Sequence, residues 1–395
     1  MNKKGFIMGL LTGVVIMLVV FSFNVYARQV RWGRELSPNE KISEIFSIVS
    51  RYSIFEYDRD VMLENMYRGL VAGIGDPYSQ YYCLESRSRF MERITGEFVG
   101  IGVRVLMDPV ERMLGIVQVF NDSPAFHAGL QPGDKFATVD GVNVIGRSAD
   151  EILDKVRGVA GTNVTIEFLR PSENRRFEVT ITRAQIIVPS VFHDLIETED
   201  GRTGYIRIEA FERPTTSQFE AALAELMSQS ICSLIIDVRN NPGGLMDVVA
   251  SITNALVPEG IITFTEDVNG RRRYHRATAN YLGLPLVVLV NGNSASASEV
   301  LAGAVLDTGA GTIVGEQTFG KGSVQTDFDL SDGTAIKLTI AKYFTPNGNS
   351  IHGVGLTPNF VVEMDESYSH RVGHDLGLEE DVQLQVALRV LAHKE

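Results

Sequence analysis

The hydrophobic and polar positions change their periodicity along the chain, and the first change comes after residue 23. Residues 6–23 are almost uninterruptedly apolar and follow two lysines. Such a run is typical of a signal peptide or an uncleaved membrane anchor, so we assign residues 1–27 to one of the two. Ala27 would suit cleavage, whereas the length of the run slightly favours an anchor. Both alternatives predict that residues 28–395 are extracytoplasmic, either in the periplasm or at the outer face of the cytoplasmic membrane.

Two further stretches have different periodicities. Residues 28–93 carry apolar positions at helical spacing behind the N-cap residue Ser37, which predicts a helical N-terminal region. Residues 94–184 instead contain short alternating runs that are typical of strands. One helix interrupts these runs, and Ser148 and Glu151 form its capping box. This second stretch is therefore predicted to be a small β-rich domain.

Residues 185–365 alternate between strand-type and helix-type patterns. Runs such as Leu286–Val290 are entirely apolar, which is typical of strands buried on both faces of an α/β sheet. Residues 366–395 contain a last amphipathic helix. The predicted fold class is therefore α/β multidomain, with a helical N-terminal arm, a β-rich domain and an α/β core.

Composition and charge narrow the functional classes. The chain has 49 acidic and 36 basic residues, a net charge of −13, so nucleic acid is not an expected partner. The seven histidines are scattered without a His-x-x-x-His pair. The cysteines also lack metal-site spacing, and no metal or other cofactor is predicted. A structural disulfide between Cys83 and Cys232 stays open as an alternative.

A serine-rich stretch, residues 291–299, follows the apolar run Leu286–Val290 and opens a predicted helix. The free amides and positive dipole end of a helix N-terminus stabilise a developing oxyanion. Each of Ser294, Ser296 and Ser298 could therefore be a nucleophile, or simply a helix cap.

Two other stretches carry candidate chemistry. Residues 237–244 end in a proline and two glycines, so backbone amides such as that of Gly243 could supply an oxyanion donor; an ordinary turn is the alternative. Lys321 lies between glycines and could act as a general base if burial lowers its pKa, although a surface lysine is the simpler interpretation. No Ser-His-Asp set is visible, so serine and lysine form the available pair. Gln325 could orient the lysine if Gly322 bends the chain.

The three stretches, in this order, resemble the protease domain of the carboxyl-terminal processing (tail-specific) peptidases, which are serine proteases with a Ser–Lys dyad. The resemblance implies that Ser296 is the nucleophile, that Lys321 is the general base and that Gln325 supports the lysine. It also implies that the amides of Gly243 and Ala297 are the oxyanion donors.

The β-rich domain resembles the PDZ domain that this family inserts before its catalytic core. A PDZ loop holds the terminal carboxylate of a peptide that adds as a strand. Residues 123–134 match an internal signature of these domains, and residues 75–79 match a Gly-Asp-Pro-Tyr-Ser motif of the family. The residues that match the carboxylate-binding loop are Phe98, Val99, Gly100, Ile101 and Gly102.

The resemblance implies a serine endopeptidase with a crotonase-like α/β core that binds C-terminal tails of exported proteins and cleaves them through an acyl-enzyme. The implied partners are flexible substrate tails, a second copy of the chain, an adaptor protein and, through residues 6–23, the membrane. Two other classes stay open: an inactive homologue that serves as a scaffold, and an enzyme that acts on acyl-CoA. Cleavage of a protein substrate or turnover of acyl-CoA would distinguish them.

Overall fold

The computed structural model describes Gly9 and residues 12–23, 35–365 and 380–392. The other residues of the predicted signal or anchor segment, and residues 24–34, 366–379 and 393–395, lie outside this part. The chain forms two compact units, which divide between Met66 and Tyr67. Within the described residues, no helix combines the length and apolar character that a membrane span requires.

Helices dominate the N-terminal region. Residues 12–23 form α1, and two longer helices follow, α2 (Pro38–Tyr52) and α3 (Arg59–Ala72). The predicted N-cap is confirmed, because the Ser37 side chain accepts a hydrogen bond from the amide of Glu40. A short strand that the sequence pattern did not indicate, β1 (Gln80–Tyr82), precedes α4 (Leu84–Thr95).

The β-rich domain is an antiparallel sheet with the strand order β3-β4-β5-β7-β8, and β6 pairs with β5. The capping box of its main helix is confirmed, because Ser148 and Glu151 exchange hydrogen bonds. Strands β2 and β9 pair with each other beside this sheet. The elements of the domain are β2 (Glu97–Gly100), β3 (Val103–Met107), β4 (Leu114–Val119), α5 (Pro124–His127), β5 (Lys135–Val139), β6 (Val142–Asn143), α6 (Ala149–Val156), β7 (Asn163–Arg170), β8 (Arg175–Thr182) and β9 (Ala184–Ile187).

The α/β core is built on a six-stranded sheet with the order β10-β11-β12-β15-β16-β19, parallel except for the β10–β11 pair. Helices α7, α8 and α9 cover one face and α10 covers the other, so β12 and β15 are entirely buried. The elements are β10 (Val191–Thr198), β11 (Gly201–Ile208), α7 (Thr215–Ser228), β12 (Ser233–Asp237), α8 (Met246–Leu256), β13 (Gly260–Asp267), β14 (Arg272–Ala277), β15 (Leu286–Val290), α9 (Ala297–Thr308), β16 (Thr312–Gly315), β17 (Ser323–Asp329), β18 (Ala335–Phe344), β19 (Phe360–Val361) and α10 (Val382–Ala392).

A second sheet lies beside the first, with the order β1-β18-β13-β14 and with β17 paired to β18. Of these strands, only β18 was predicted, and it extends to Phe344. The predicted α/β multidomain class is confirmed. The disulfide alternative is wrong, because Cys83 and Cys232 are both free thiols.

Candidate active site

Burial separates the three candidate serines. Ser294 and Ser298 are fully buried and donate hydrogen bonds to backbone carbonyls, Ser294 to Val238 at 2.8 Å and Ser298 to Asn241 at 2.9 Å. Ser296, at the turn into α9, is only partly buried. Its backbone has φ 56° and ψ −113°, a rarely populated conformation for a residue with a side chain. Ser294 and Ser298 therefore hold the loop together, while Ser296 keeps access to solvent.

A fully buried carboxylate, that of Glu299, joins the segments that carry Ser296 and Lys321. The backbone amides of Ser296 and Lys321 each donate to Oε2 at 2.9 Å. The other oxygen, Oε1, accepts the Thr318 hydroxyl at 2.6 Å and the Gly320 amide at 2.8 Å. A buried carboxylate is stable when its acceptor sites are satisfied in this way, so Glu299 fixes both segments in one arrangement.

Tyr343, on β18, joins the same two segments on their carbonyl side. Its hydroxyl lies 2.9 Å from the Ser296 carbonyl oxygen and also contacts the Lys321 carbonyl oxygen. Burial, together with the nearby Glu299 carboxylate, raises the pKa of Tyr343 well above its usual value, so the phenol stays neutral and can donate. The Glu299 side chain thus binds the backbone amides of Ser296 and Lys321, and the Tyr343 side chain contacts their carbonyls.

The Lys321 side chain is half-buried, and its Nζ lies 5.0 Å from the centroid of the Tyr78 ring. Burial lowers the pKa of Lys321, and the positive charge of Lys337 acts in the same direction. The carboxylates of Asp76 and Glu299 oppose this effect. The net result is a lowered pKa, so more of the amine is neutral at a given pH than for an ordinary lysine, and the neutral amine is the form that can accept a proton.

Gln325 lies at a register shift between β17 and β18. Its Nε2 donates to the hydroxyls of Ser323 at 2.9 Å and Thr339 at 3.2 Å. Within the described residues, no hydrogen bond joins the Lys321 amine to Gln325 or to the Ser296 hydroxyl. Among the described residues, the structure therefore joins the backbones of the predicted pair through shared partners but shows no hydrogen bond between their side chains.

The two predicted oxyanion donors differ in their hydrogen bonding. Gly243 has φ 102° and packs against the turn that carries Ser296; a Cβ here would lie 2.8 Å from Ser296 Cβ and 2.9 Å from the Ala297 nitrogen. The Gly243 amide donates to Asn241 Oδ1 at 2.8 Å. In the described part of the chain, the Ala297 amide donates to no other group. The Ala297 amide is therefore open, whereas Asn241 occupies that of Gly243.

A buried charge network that the sequence analysis missed lies at the base of residues 237–244. Arg239 is almost completely buried and contacts Asp237 at 2.6 Å and Asp381 at 2.8 Å. Its guanidinium also donates to Gln383 Oε1 at 3.0 Å, and so connects the glycine-rich turn to α10. An Asp-x-Arg pair directly after an apolar strand was the available signal, because charges in such a place need partners.

The loop that resembles a PDZ carboxylate-binding site begins in β2 and ends at Gly102. Ile101 is buried, and its carbonyl accepts the Ala125 amide at 2.8 Å. Gly102 has φ 85°, and a Cβ there would lie 2.3 Å from Ser123 Cβ, so this position requires glycine. Among the described residues, the amides of Ile101 and Gly102 donate to no protein acceptor. Both amides are therefore available to a carboxylate.

Metal ligation has no support in the described ranges, where no group of three or more His, Cys, Asp or Glu residues lies close enough to hold an ion.

Two family models match the chain. The model of peptidase family S41 matches residues 202–362, and a PDZ domain model matches residues 115–170. The first range includes Ser296 and Lys321, and the second contains most of the β-rich domain.

Two proteases are similar to this chain over most of its length. The carboxy-terminal processing protease CtpB of Bacillus subtilis (strain 168) is 34% identical over 332 residues, which are 84% of this chain and 69% of that protease. The carboxyl-terminal-processing protease of Synechocystis sp. (strain ATCC 27184 / PCC 6803 / Kazusa) is 37% identical over 325 residues, 82% of this chain and 75% of that protease.

Two solved structures of proteases are also similar to this chain. The photosystem II D1 C-terminal processing protease superposes with a TM-score of 0.50 at 31% identity and covers 80% of this chain and 86% of its own. An S41 protease structure from Bacteroides fragilis NCTC 9343 has a TM-score of 0.54 at 15% identity, covers 91% of this chain and 98% of its own, and supports the fold alone. The chain therefore belongs to peptidase family S41 and is a carboxy-terminal processing serine protease with a PDZ domain.

Proposed function

We propose that the chain is an endopeptidase in which Ser296 is the nucleophile and Lys321 the general base. The observation that carries this proposal is that the two residues share their hydrogen-bond partners: Glu299 binds both backbone amides, and Tyr343 contacts both backbone carbonyls. This arrangement holds two residues that are distant in sequence on adjacent backbone segments. The proposed reaction then needs the Lys321 side chain to bring its amine to the Ser296 hydroxyl.

The reaction begins when neutral Lys321 accepts the proton of the Ser296 hydroxyl and Ser296 Oγ attacks a peptide carbonyl carbon. The developing oxyanion is stabilised by the open Ala297 amide at the N-terminus of α9. Gly243 supplies the second donor once the Asn241 side chain releases its amide. Protonated Lys321 then gives its proton to the leaving amine, and the acyl-enzyme forms. Water, deprotonated by Lys321, hydrolyses the ester and restores the Ser296 hydroxyl.

The substrates are flexible C-terminal tails of exported proteins, and the PDZ loop selects them. The free amides of Ile101 and Gly102 support this assignment, because a terminal carboxylate needs two or more backbone donors while its peptide adds as a strand. Recognition of the tail and cleavage are thus separate tasks of two domains.

Tail selection is tested with a disordered protein substrate that has an apolar C-terminus, in a free and an amidated form. We expect the amidated substrate to be cleaved with a KM at least about tenfold higher, because a charge-assisted interaction of roughly 1.5–3 kcal/mol is lost. Gly102→Ala should raise the KM of the free form to a similar degree, because its Cβ would collide with Ser123.

The matched control is Gly146→Ala, which has a comparable φ of 82° but open space around the added Cβ. Gly146→Ala should lose stability without a change in KM. Equal cleavage of both substrate forms, with wild-type KM in Gly102→Ala, would remove the PDZ loop from the proposal.

Export is part of the proposal, and the apolar run at residues 6–23 behind two lysines supports it. We expect residues 28–395 to become accessible to an added protease when the outer layers of the cell are opened but the cytoplasmic membrane is intact. Deletion of residues 1–27 should leave the chain protected inside the cytoplasm. Protection of the full chain under the first condition would contradict the proposal.

A further inference from the structure

The Gly-Asp-Pro-Tyr-Ser turn, residues 75–79, lies against the proposed base although it precedes Lys321 by most of the chain. The ring of Tyr78, itself half-buried, faces the Lys321 amine, with Nζ 5.0 Å from the ring centroid. Tyr78 also lies close enough to Tyr343 to contribute to the raised pKa of that phenol. The turn is outside residues 202–362, which match the peptidase family.

The turn is fixed in this place by internal and external hydrogen bonds. The Asp76 carboxylate accepts the Tyr78 amide at 3.1 Å and the Ser79 hydroxyl at 2.5 Å. Ser79 Oγ in turn accepts the Thr339 amide at 3.2 Å. The Thr339 hydroxyl accepts a hydrogen bond from Gln325 Nε2. Thr339 therefore connects the turn to β17, the strand that follows Lys321.

Strand pairing holds the turn from the other end. β1 begins directly after Ser79 and pairs with β18, with Gln80 opposite Lys337 and Tyr82 opposite Ala335. β18 also carries Tyr343, which contacts the backbone of Lys321. The position of the Tyr78 ring relative to the lysine is therefore set by the same sheet that holds the lysine backbone.

We propose that Tyr78 is a positioning residue for the catalytic lysine, and that its ring covers the Lys321 amine and keeps water from it. This inference rests on the proposed role of Lys321 as the base. It assigns a part of the active site to residues 75–79, and the pairing of the adjacent strand β1 with β18 ties these residues to the protease sheet.

The charged groups around Lys321 do not by themselves explain the lowered pKa of its amine. Lys337, from β18, disfavours the protonated amine, whereas Asp76 from the turn and Glu299 from α9 favour it. Burial is the larger influence, and the Tyr78 ring is one of the surfaces that supply it. A ring also attracts an ammonium, but water hydrates a compact ammonium more strongly, so exchange of the ring for water favours the charged form.

Removal of the ring therefore predicts a specific change in the pH profile. Tyr78→Ala lets water reach the amine, raises the pKa of Lys321 and moves the acid limb of kcat/KM to higher pH. If the limb moves by one pH unit, kcat/KM falls about tenfold at pH values well below the wild-type midpoint and recovers above the new midpoint. If the substitution only disturbed the fold of the site, it would lower kcat/KM by the same factor at every pH.

The experiment measures kcat/KM against pH for the chain from residue 28, as wild type, Tyr78→Phe and Tyr78→Ala, with thermal unfolding to check each fold. Tyr78→Phe keeps the ring and should stay within about twofold of wild type. If Tyr78→Ala does not fold, Tyr78→Gln fills similar space with a polar group and should show the same upward shift. An unmoved acid limb in Tyr78→Ala or Tyr78→Gln would overturn the inference, as would a uniform loss at all pH values.

Failure of the proposed function gives a different result from failure of this inference. If Lys321 is not the base, Lys321→Ala keeps its activity and the acid limb of the wild type, whatever the result with Tyr78→Ala. If Lys321 is the base but Tyr78 does not cover it, Lys321→Ala is inactive and Tyr78→Ala has the same acid limb as the wild type.

Discussion

Ser296→Ala is expected to lower the rate of cleavage of a disordered protein substrate by a factor on the order of 10⁴ or more, because the proposed acyl-enzyme forms on the Ser296 hydroxyl. Ser294→Ala and Ser298→Ala are matched controls in the same loop. Each loses its buried hydrogen bond to a backbone carbonyl, at a cost of roughly 1–3 kcal/mol of stability, and Ser294→Ala also removes the acceptor of the Asn291 amide, but each keeps the Ser296 hydroxyl. Cleavage that survives in Ser296→Ala would move the nucleophile to another residue.

Lys321 is tested by the same assay and by its pH dependence. Because burial lowers the pKa of Lys321, the wild-type kcat/KM should rise with pH and level off above a midpoint that lies below the ordinary lysine value of about 10.4. Lys321→Ala should be as inactive as Ser296→Ala. Lys321→Arg retains the positive charge but cannot deprotonate, so it should also be inactive. Wild-type rates in Lys321→Arg would exclude proton transfer to this residue.

Arg239→Met is expected to produce the largest loss of stability, about 3–5 kcal/mol, because it leaves the buried carboxylates of Asp237 and Asp381 without their shared cation. Urea unfolding of the chain from residue 28 measures this loss. The matched control is Arg202→Met, whose partner Glu197 is exposed, and which should cost less than about 1 kcal/mol.

The loss in Arg239→Met should also depend on pH. Burial alone would raise the pKa of Asp237, but in the wild type Arg239 holds it below its usual value. Without the arginine, burial dominates and the folded state binds a proton more tightly than the unfolded state. The stability penalty should therefore shrink as the pH falls. Equal penalties for Arg239→Met and Arg202→Met at neutral pH would mean that the network does not support the fold.

Local patterns were enough to predict the helices and strands whose character is set within a few residues. The capping box of Ser148 and Glu151 needs only neighbours along the chain, and the structure contains it. The apolar run Leu286–Val290 had to be buried wherever it lay, and it is a central strand. The serine, glycine and lysine motifs likewise predicted the family, because their residue types and order are a property of the sequence.

Strands that depend on their neighbours were not predicted. Arg272–Ala277 contains three arginines and no apolar alternation, and it becomes a strand because it pairs with β13. Gln80–Tyr82 has only three residues, and its pairing with β18 comes from a segment more than 250 residues away. Local propensity is weak compared with such pairing, so a sequence pattern alone cannot indicate it.

The sequence by itself determined the fold class, the family and a short set of candidate residues. The tertiary structure decided which serine is accessible, since Ser294, Ser296 and Ser298 have almost the same local sequence but differ in burial and in hydrogen bonding. It also placed Tyr78 over Lys321 and joined Arg239 to Asp381, contacts between positions far apart in the chain. Such contacts depend on how whole elements pack, and packing is not encoded in the periodicity of any one of them.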